Sequence, residues 1–204
     1  METNLDKIEI DGRLKRQLEF SLEIDREKQV FRQTHLSGAG RRENDAEHAW
    51  HMAVMAYVLK EHSNRKIDIA RTMIMCLIHD IVEIDAGDTY AYDEEGKKTQ
   101  REREEKAKER IFSLLPGGQA EEMKAIFEEF ERNETAEAQF AHAMDNIQPI
   151  LLNNSNGGAD WREHNVSAAQ VMKRQEKTKP GSEEIFSLAR KIVEMNIEKG
   201  SLRP

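Results

Sequence analysis

The stretch Asp68-Ile69-Ala70-Arg71-Thr72-Met73-Ile74-Met75-Cys76-Leu77-Ile78-His79-Asp80-Ile81 decides how this chain is read. Its apolar residues recur at helical spacing and cover most of the circumference, the pattern of a helix buried at the centre of a domain. Asp68 is a natural N-cap for it. His79-Asp80 breaks the apolar run at its end. An ionised carboxylate buried without a partner costs on the order of several kcal/mol, so Asp80 needs a cation, a hydrogen-bond network or a shifted pKa.

Helical signals continue on both sides. Residues 5–30 place Leu14, Leu18, Leu22 and Ile24 among charges at helical spacing. Asn44 or Asp45 caps a helix predicted over 46–62, with Trp50, Val54, Tyr57 and Val58 on one side. Gly87 interrupts the pattern, and 85–96 reads as a loop that can hold a short helical turn. Residues 97–115 are dense in Arg, Lys and Glu, with Ala107, Ile111 and Leu115 as a thin apolar stripe; alternating signs read as a solvated face. Pro116-Gly117-Gly118 is a strong break. Further helices are predicted over 121–131 (Met123, Ile126, Phe127, Phe130), 136–152, 161–175 and 183–199. A polar turn at 153–158 and a Pro180-Gly181 break fall between them. No segment shows sustained period-two alternation. The expectation is an all-α helical bundle forming a single domain over 1–204, its core at about 30–152, with helices of 160–200 packed upon it.

The chain has 204 residues, enough for one domain with a sizeable core. Charged residues make up 34% and apolar residues 38%, a globular rather than a disordered balance. A net charge of −8 gives no general attraction for nucleic-acid backbones, although a local basic pocket could hold one phosphate. No basic stripe with interleaved aromatics appears, so a nucleic-acid polymer is not the expected partner. The N-terminal stretch carries no apolar h-region and nowhere do eighteen apolar residues run together, so no membrane association and a cytoplasmic location are expected. Cys76 is the one cysteine; it cannot form an intramolecular disulfide and reads as a small buried hydrophobe.

Three stations put metal-ligating side chains where a helical protein would otherwise put core. They are Glu47-His48-Ala49-Trp50-His51, His79-Asp80, and Asp145 within Phe140-Ala141-His142-Ala143-Met144-Asp145-Asn146-Ile147. A divalent ion would satisfy both aspartates at once. Two imidazoles and two carboxylates make a mixed nitrogen and oxygen shell suited to Mn, Co, Fe, Zn or Ni, with Mg also within range, and leave positions open for water and substrate. A lone His-Asp pair means little, and His48 alone could be a core histidine; the combination carries the argument. His51, three residues after His48, shares its helix face and is read as a non-ligand.

In the blocks Arg42-Glu43-Asn44-Asp45-Ala46-Glu47-His48 and Leu77-Ile78-His79-Asp80-Ile81-Val82-Glu83-Ile84-Asp85-Ala86-Gly87-Asp88, followed by Asp145, the chain resembles the HD-domain phosphohydrolases. Within that superfamily it is similar to the bacterial 5′-deoxynucleotidases and their relatives. The likeness covers about 32–145; the helices beyond match only in character. The resemblance implies that His48, His79, Asp80 and Asp145 hold one divalent ion. It further implies a small-molecule phosphate ester as substrate, a nucleoside or deoxynucleoside 5′-monophosphate whose phosphomonoester is hydrolysed. It assigns Glu83 and Asp88 to the handling of the reactive water and its proton. Glu83 lies four residues after His79 and three after Asp80, on one helix face. Asp88, Thr89, Tyr90 and Ala91 would line the sugar and phosphate pocket, though Gly87 also reads as a helix stop and Asp88 as the next N-cap. An upstream arginine, best matched by Arg32, would orient the phosphate, with Arg41 and Arg42 as additional candidates. Some members follow that arginine with tryptophan; this chain has Gln33, which leaves nucleoside packing open. A homodimer is implied as well. Two rivals stand beside this reading. Hydrolases of nucleotide pyrophosphates or guanosine tetraphosphate resemble a His-Asp-x-x-Glu-Asp pattern, and here Ile84 follows Glu83. A non-catalytic helical module with the ion as a staple would need only the ligands, whereas Glu83, Asp88 and Arg32 are also present.

Overall fold

The computed structural model describes residues 4–38 and 40–204, so the first three residues of the N-terminal stretch lie outside it. The expected helical architecture is borne out. Three helices form the centre: α2 (Asp45–Leu59), α3 (Ile69–Ile78) and α7 (Ala136–Ser155). Around them lie α1 (Gly12–Ile24), α4 (Glu83–Ala86), α5 (Lys97–Phe112), α6 (Gly117–Arg132), α8 (Ala159–Glu163), α9 (Ala168–Gln175) and α10 (Glu183–Glu198). Met52, Ala53 and Ala56 of α2 meet Met75 and Cys76 of α3 and Phe140, Ala141 and Met144 of α7 in a cluster of buried apolar side chains reaching from Phe20 to Leu202. The alanines let the helix axes approach closely, and the methionines fill what remains.

The local signals explain most boundaries. Asn44 is the N-cap of α2, closed as a capping box: its Oδ1 accepts from Glu47 N at 2.9 Å and its own N donates to Glu47 Oε2 at 3.1 Å. Asp68 caps α3 through the backbone N–H groups of Ala70 and Arg71. Pro116 marks the start of α6 rather than a gap before it. Its carbonyl accepts from Gln119 and Ala120, and Gly117 and Gly118 fall in the first turn, where no intrahelical N–H bond is lost.

Several expectations are corrected. A short antiparallel ribbon is present, β1 (Phe31–His35) against β2 (Arg42–Asn44), paired Phe31 to Asn44 and His35 to Arg42 with an irregularity between. It is too short and too bulged to show alternation, and long-range contacts hold it: His35 N donates to Asp160 Oδ2 at 3.1 Å, and Asp45 N to Val30 O at 3.1 Å. The first helix is also shorter than 5–30, with 3₁₀ turns at Leu5–Lys7 and Asp25–Gln29. Leu14, Leu18 and Leu22 are exposed; Phe20 is what α1 buries, against Phe112 at a ring separation of 6.5 Å. Arg16 ties this helix down, donating to the carbonyls of Ser113, Leu114 and Leu115 just past the end of α5. On α2, Trp50, Val54, Tyr57 and Val58 face outward, joined by Ile74 and Leu77 of α3, so one side of the central pair is open. α5 is not wholly solvated either. Lys108 is buried, paired with Glu105 at 2.8 Å and Glu128 at 3.1 Å.

Two stability predictions follow from the packing. Gly181 lies so close to α7 that an added Cβ would sit 2.1 Å from the Gln139 carbonyl oxygen. Gly181→Ala should therefore cost at least about 2 kcal/mol in urea unfolding, because backbone must move. His142 is buried between α6 and α7; its Nε2–H donates to Phe130 O at 2.9 Å and its ring stacks on Phe130 at 4.0 Å. Burial holds its pKa down at about 4, against an ordinary value of 6.5. The unfolded chain therefore binds a proton that the folded protein refuses between those values. The stabilisation is complete above about pH 6.5 and is lost as pH falls toward 4, with a slope of up to about 1.4 kcal/mol per pH unit. His142→Gln should flatten that part of the unfolding free-energy curve.

Candidate metal centre

His48 closes the first turn of α2 and is fully buried. Its Nδ1 lies 3.6 Å from Glu43 Oε2, and its Nε2 lies 3.3 Å from Asp145 Oδ1. Glu43 is itself held by Gln148, whose Nε2 donates to Glu43 Oε1 at 2.7 Å. His79 closes α3: Nδ1–H donates to the Cys76 carbonyl at 3.0 Å, which assigns the proton to Nδ1 and turns the Nε2 lone pair inward. The His79 ring rests on Phe130 at 5.0 Å. Asp145 comes from the middle of α7, four residues before Pro149, which has no N–H to give to the Asp145 carbonyl.

The side chains of His48, His79 and Asp145 bring one ligand atom each to within 4.8 Å of one another. Asp80 adjoins them, its Oδ2 3.0 Å from His79 Nε2. It also belongs to a second group, Asp45, Asp80 and Glu83, whose oxygens likewise converge within 4.8 Å. Arg32, projecting from β1, donates through Nη1 to Asp80 Oδ2 at 2.7 Å and to Asp45 Oδ1 at 3.3 Å. Glu83 reaches the group through a turn rather than along one continuous helix. α3 ends at Ile78, and the chain tightens through Ile81 N to Ile78 O and Glu83 N to Asp80 O before α4 begins. Gly87 then stops α4 at φ 73°, a conformation that excludes a side chain at little cost only for glycine.

The charges follow this layout. Burial would raise Asp80, but His79 and Arg32 outweigh it and hold its carboxyl well below the usual range. Asp145 is likewise depressed despite its burial, by Arg174, His48 and His79. Burial tends to lower His79, but Asp80 overcomes it and raises the imidazole to about 9. Burial and the nearby Asp80 raise Asp45 to about 7 and Glu83 well above the ordinary carboxyl range.

This donor set fits a divalent ion. His48 Nε2 and His79 Nε2 are buried and lack a hydrogen-bond partner among the described residues, while ionised carboxylates face them. Ligands about 2.1 Å from a shared ion stand roughly 3–4 Å apart, close to the spacing here. The negative field that keeps a proton on His79 would equally favour a metal cation.

The other residues singled out from the sequence lie at varied distances from this centre. Asp88, Thr89, Tyr90 and Ala91 form the half-buried start of the loop after Gly87. Thr89 Oγ1 accepts from Arg103 Nη2 at 2.8 Å, and Arg103 also reaches the Ala86 carbonyl. Arg42 pairs with Glu163 at 3.4 Å and Arg41 with Glu47, so both are engaged outside the acid cluster. His51 turns toward Gln148 and lines a cavity of about 350 Å³ beside Trp50. Sequence reading missed Asp45, Glu43, Glu27, Arg103 and Arg174. Glu27, on a 3₁₀ turn, is buried with Oε1 lacking a hydrogen-bond partner among the described residues, and its carboxyl is pushed up to about 8 by burial and Asp80. Asp45 stands three residues before His48, on the same helix face, which is a signal the sequence did contain.

Comparison with known proteins shows the family to which the chain belongs. The model of the HD-domain family matches residues 24–186. This chain belongs to the HD-domain family. Over 111 residues the HD protein is 34% identical to human 5'-deoxynucleotidase HDDC2, covering 54% of this chain and 53% of that protein. The Xenopus laevis counterpart of the same name is 33% identical over 109 residues, 53% of each chain. The chain thus spans about half the length of these curated relatives. A crystal structure described as a predicted metal-dependent phosphohydrolase from Magnetospirillum magnetotacticum MS-1 superposes with a TM-score of 0.91. It is 46% identical and covers 95% of this chain and 97% of that one. No helix among the described residues is long and apolar enough to cross a membrane.

If the His and Asp groups hold an ion, adding Mn²⁺ at about 100 times its dissociation constant should stabilise the folded protein by about 2.7 kcal/mol. A thermal melt measures this, and His79→Ala should abolish the increment.

Proposed function

We propose that this HD-domain protein is a metal-dependent phosphomonoesterase acting on nucleoside or deoxynucleoside 5′-monophosphates. The observation that carries the reading is the meeting of two unpartnered imidazole nitrogens with ionised Asp80 and Asp145, beside a separate acid, Glu83, and a guanidinium, Arg32. A purely structural site would need the first four groups only. The substrate class draws support from relatives that carry the name 5'-deoxynucleotidase, although the chain covers about half of their length.

On this reading His48, His79, Asp80 and Asp145 hold one divalent ion, drawn from Mn, Co, Fe, Zn, Ni or Mg. When bound, it supplies Lewis-acid stabilisation of phosphoryl charge and acidifies water. Glu83, whose Oε2 is buried and without a hydrogen-bond partner among the described residues, orients the attacking water and, in its ionised form, accepts its proton. Asp88 shares that proton traffic from the start of the loop. Arg32 neutralises charge on the phosphoryl oxygens, the main electrostatic demand of phosphoryl transfer. Thr89, Tyr90 and Ala91 bound the sugar, and Arg42 would join the substrate only by leaving Glu163.

We further propose that residues 1–204 work as one unit, supported by a buried cluster that runs from α1 to the C-terminal segment. A homodimer is supported by the open apolar face of Trp50, Val54, Tyr57, Val58, Ile74 and Leu77, because such patches on soluble proteins mark contact surfaces. The cytoplasm, where nucleoside monophosphates are held, is the proposed compartment.

Purified protein with Mn²⁺ or Co²⁺ should release inorganic phosphate from deoxynucleoside 5′-monophosphates. Asp80→Ala or exhaustive chelation should reduce release to background, and Glu83→Gln should lower kcat by roughly 10²–10⁴-fold with little change in KM. Full activity after chelation would dismiss the proposal. Light scattering should give twice the mass of one chain, falling to one in Trp50→Glu.

A further inference from the structure

Arg174 is placed by the last turn of α9, about thirty residues beyond Asp145, in a region where the sequence alone offered no chemical assignment. Its Nη2 donates to both oxygens of Asp145, at 3.2 and 3.3 Å, and its Nε donates to Asn146 Oδ1 at 3.0 Å. The neighbouring Gln175 is fully buried and donates through Nε2 to the Asn146 carbonyl at 3.0 Å, while its Oε1 accepts from Thr178 Oγ1 at 2.9 Å. The end of α9 is thus bound to α7 at Asp145 and at the adjacent Asn146. That carboxylate is approached from one side by His48 and from another by Arg174.

The same guanidinium is felt by the loop that follows Gly87, since it contributes to the electrostatics of Asp88, Tyr90 and Tyr92. Arg32 differs. It is engaged with Asp80 and Asp45 rather than Asp145 and is largely buried, whereas the Arg174 side chain is about 26% exposed.

We propose that Arg174 is a positioning residue of the metal centre: a guanidinium anchored on Asn146 that sets the orientation of the Asp145 carboxylate toward the ion. The proposal rests on the reading of His48, His79, Asp80 and Asp145 as metal ligands. A carboxylate on an otherwise free side chain can rotate between productive and unproductive orientations. A planar fork held at its own base removes that freedom, and groups that orient ligands in this way are typically worth 10–100-fold in metal affinity. Lysine keeps the charge but loses the fork, so it replaces only part of the effect.

The test is titration of Mn²⁺ alone into the full chain, following free Mn²⁺ by electron paramagnetic resonance, with a circular dichroism melt to confirm folding. Arg174→Gln should weaken Mn²⁺ binding about 10–100-fold, Arg174→Lys by less, and Asp145→Asn by more than either. At saturating Mn²⁺ the Arg174→Gln enzyme should regain much of its kcat, which a variant damaged in general packing would not. A folded Arg174→Gln protein that binds Mn²⁺ as tightly as the wild type overturns the proposal. Should Arg174→Gln not fold, Asn146→Ala takes its place, since it removes the anchor and leaves the arginine; weaker Mn²⁺ binding supports the proposal and unchanged binding overturns it. Wild-type protein that binds Mn²⁺ yet releases no phosphate would defeat the phosphatase reading while leaving Arg174 to be judged by affinity.

Discussion

Carboxyl groups crowded into a water-poor space dominate this structure. Glu27, Asp45, Asp80, Glu83, Asp88 and Asp145 all act on one another or on the same histidines, and the guanidinium groups among them are those of Arg32 and Arg174. Two guanidiniums and the His79 imidazolium cannot balance that many negative charges at low dielectric. The molecule responds by dividing the carboxyls. Those touching the imidazoles and arginines, Asp80 and Asp145, are held ionised; those set further back, Asp45, Glu27 and Glu83, are pushed toward keeping a proton. Environments that drive neighbouring acids apart in this way are how one site comes to contain both fixed negative charge and a group able to move a proton.

The backbone is arranged to maintain that division. Asp80 and Glu83, three residues apart across the turn after Ile78, stay neighbours and form one cluster with Asp45 of α2, and the stop at Gly87 releases the loop beginning at Asp88. Arg103, from a helix that otherwise looks solvated, fixes the base of that loop through Thr89 and the Ala86 carbonyl.

Three of the four metal-ligating candidates are also steadied from their far sides. His79 is held by the Cys76 carbonyl, His48 faces Glu43, which Gln148 secures, and Asp145 is gripped by Arg174. These partners come from four different elements, β2, α3, α7 and α9, so the centre is as rigid as the packing of α2, α3 and α7 beneath it. Rigid placement matters because a misplacement of about 1 Å in such a site can cost orders of magnitude in rate.

The amino-acid sequence by itself determined the helical class, the caps at Asn44 and Asp68 and the break near Gly87. It also exposed the three stations at which His48, His79-Asp80 and Asp145 interrupt apolar runs. Periodicity and capping act over a few residues, and a charge inside an apolar run is visible without knowing what it meets. Tertiary structure alone decided that Arg174 reaches Asp145, that Glu27 joins the acids, that Arg42 turns to Glu163, and that Trp50 and Tyr57 face outward rather than into the core. The physical reason is the same in each case. Which face of a helix is buried, and which distant side chains converge, depends on how whole elements cross, and that is set by packing summed over the entire core rather than by any local pattern.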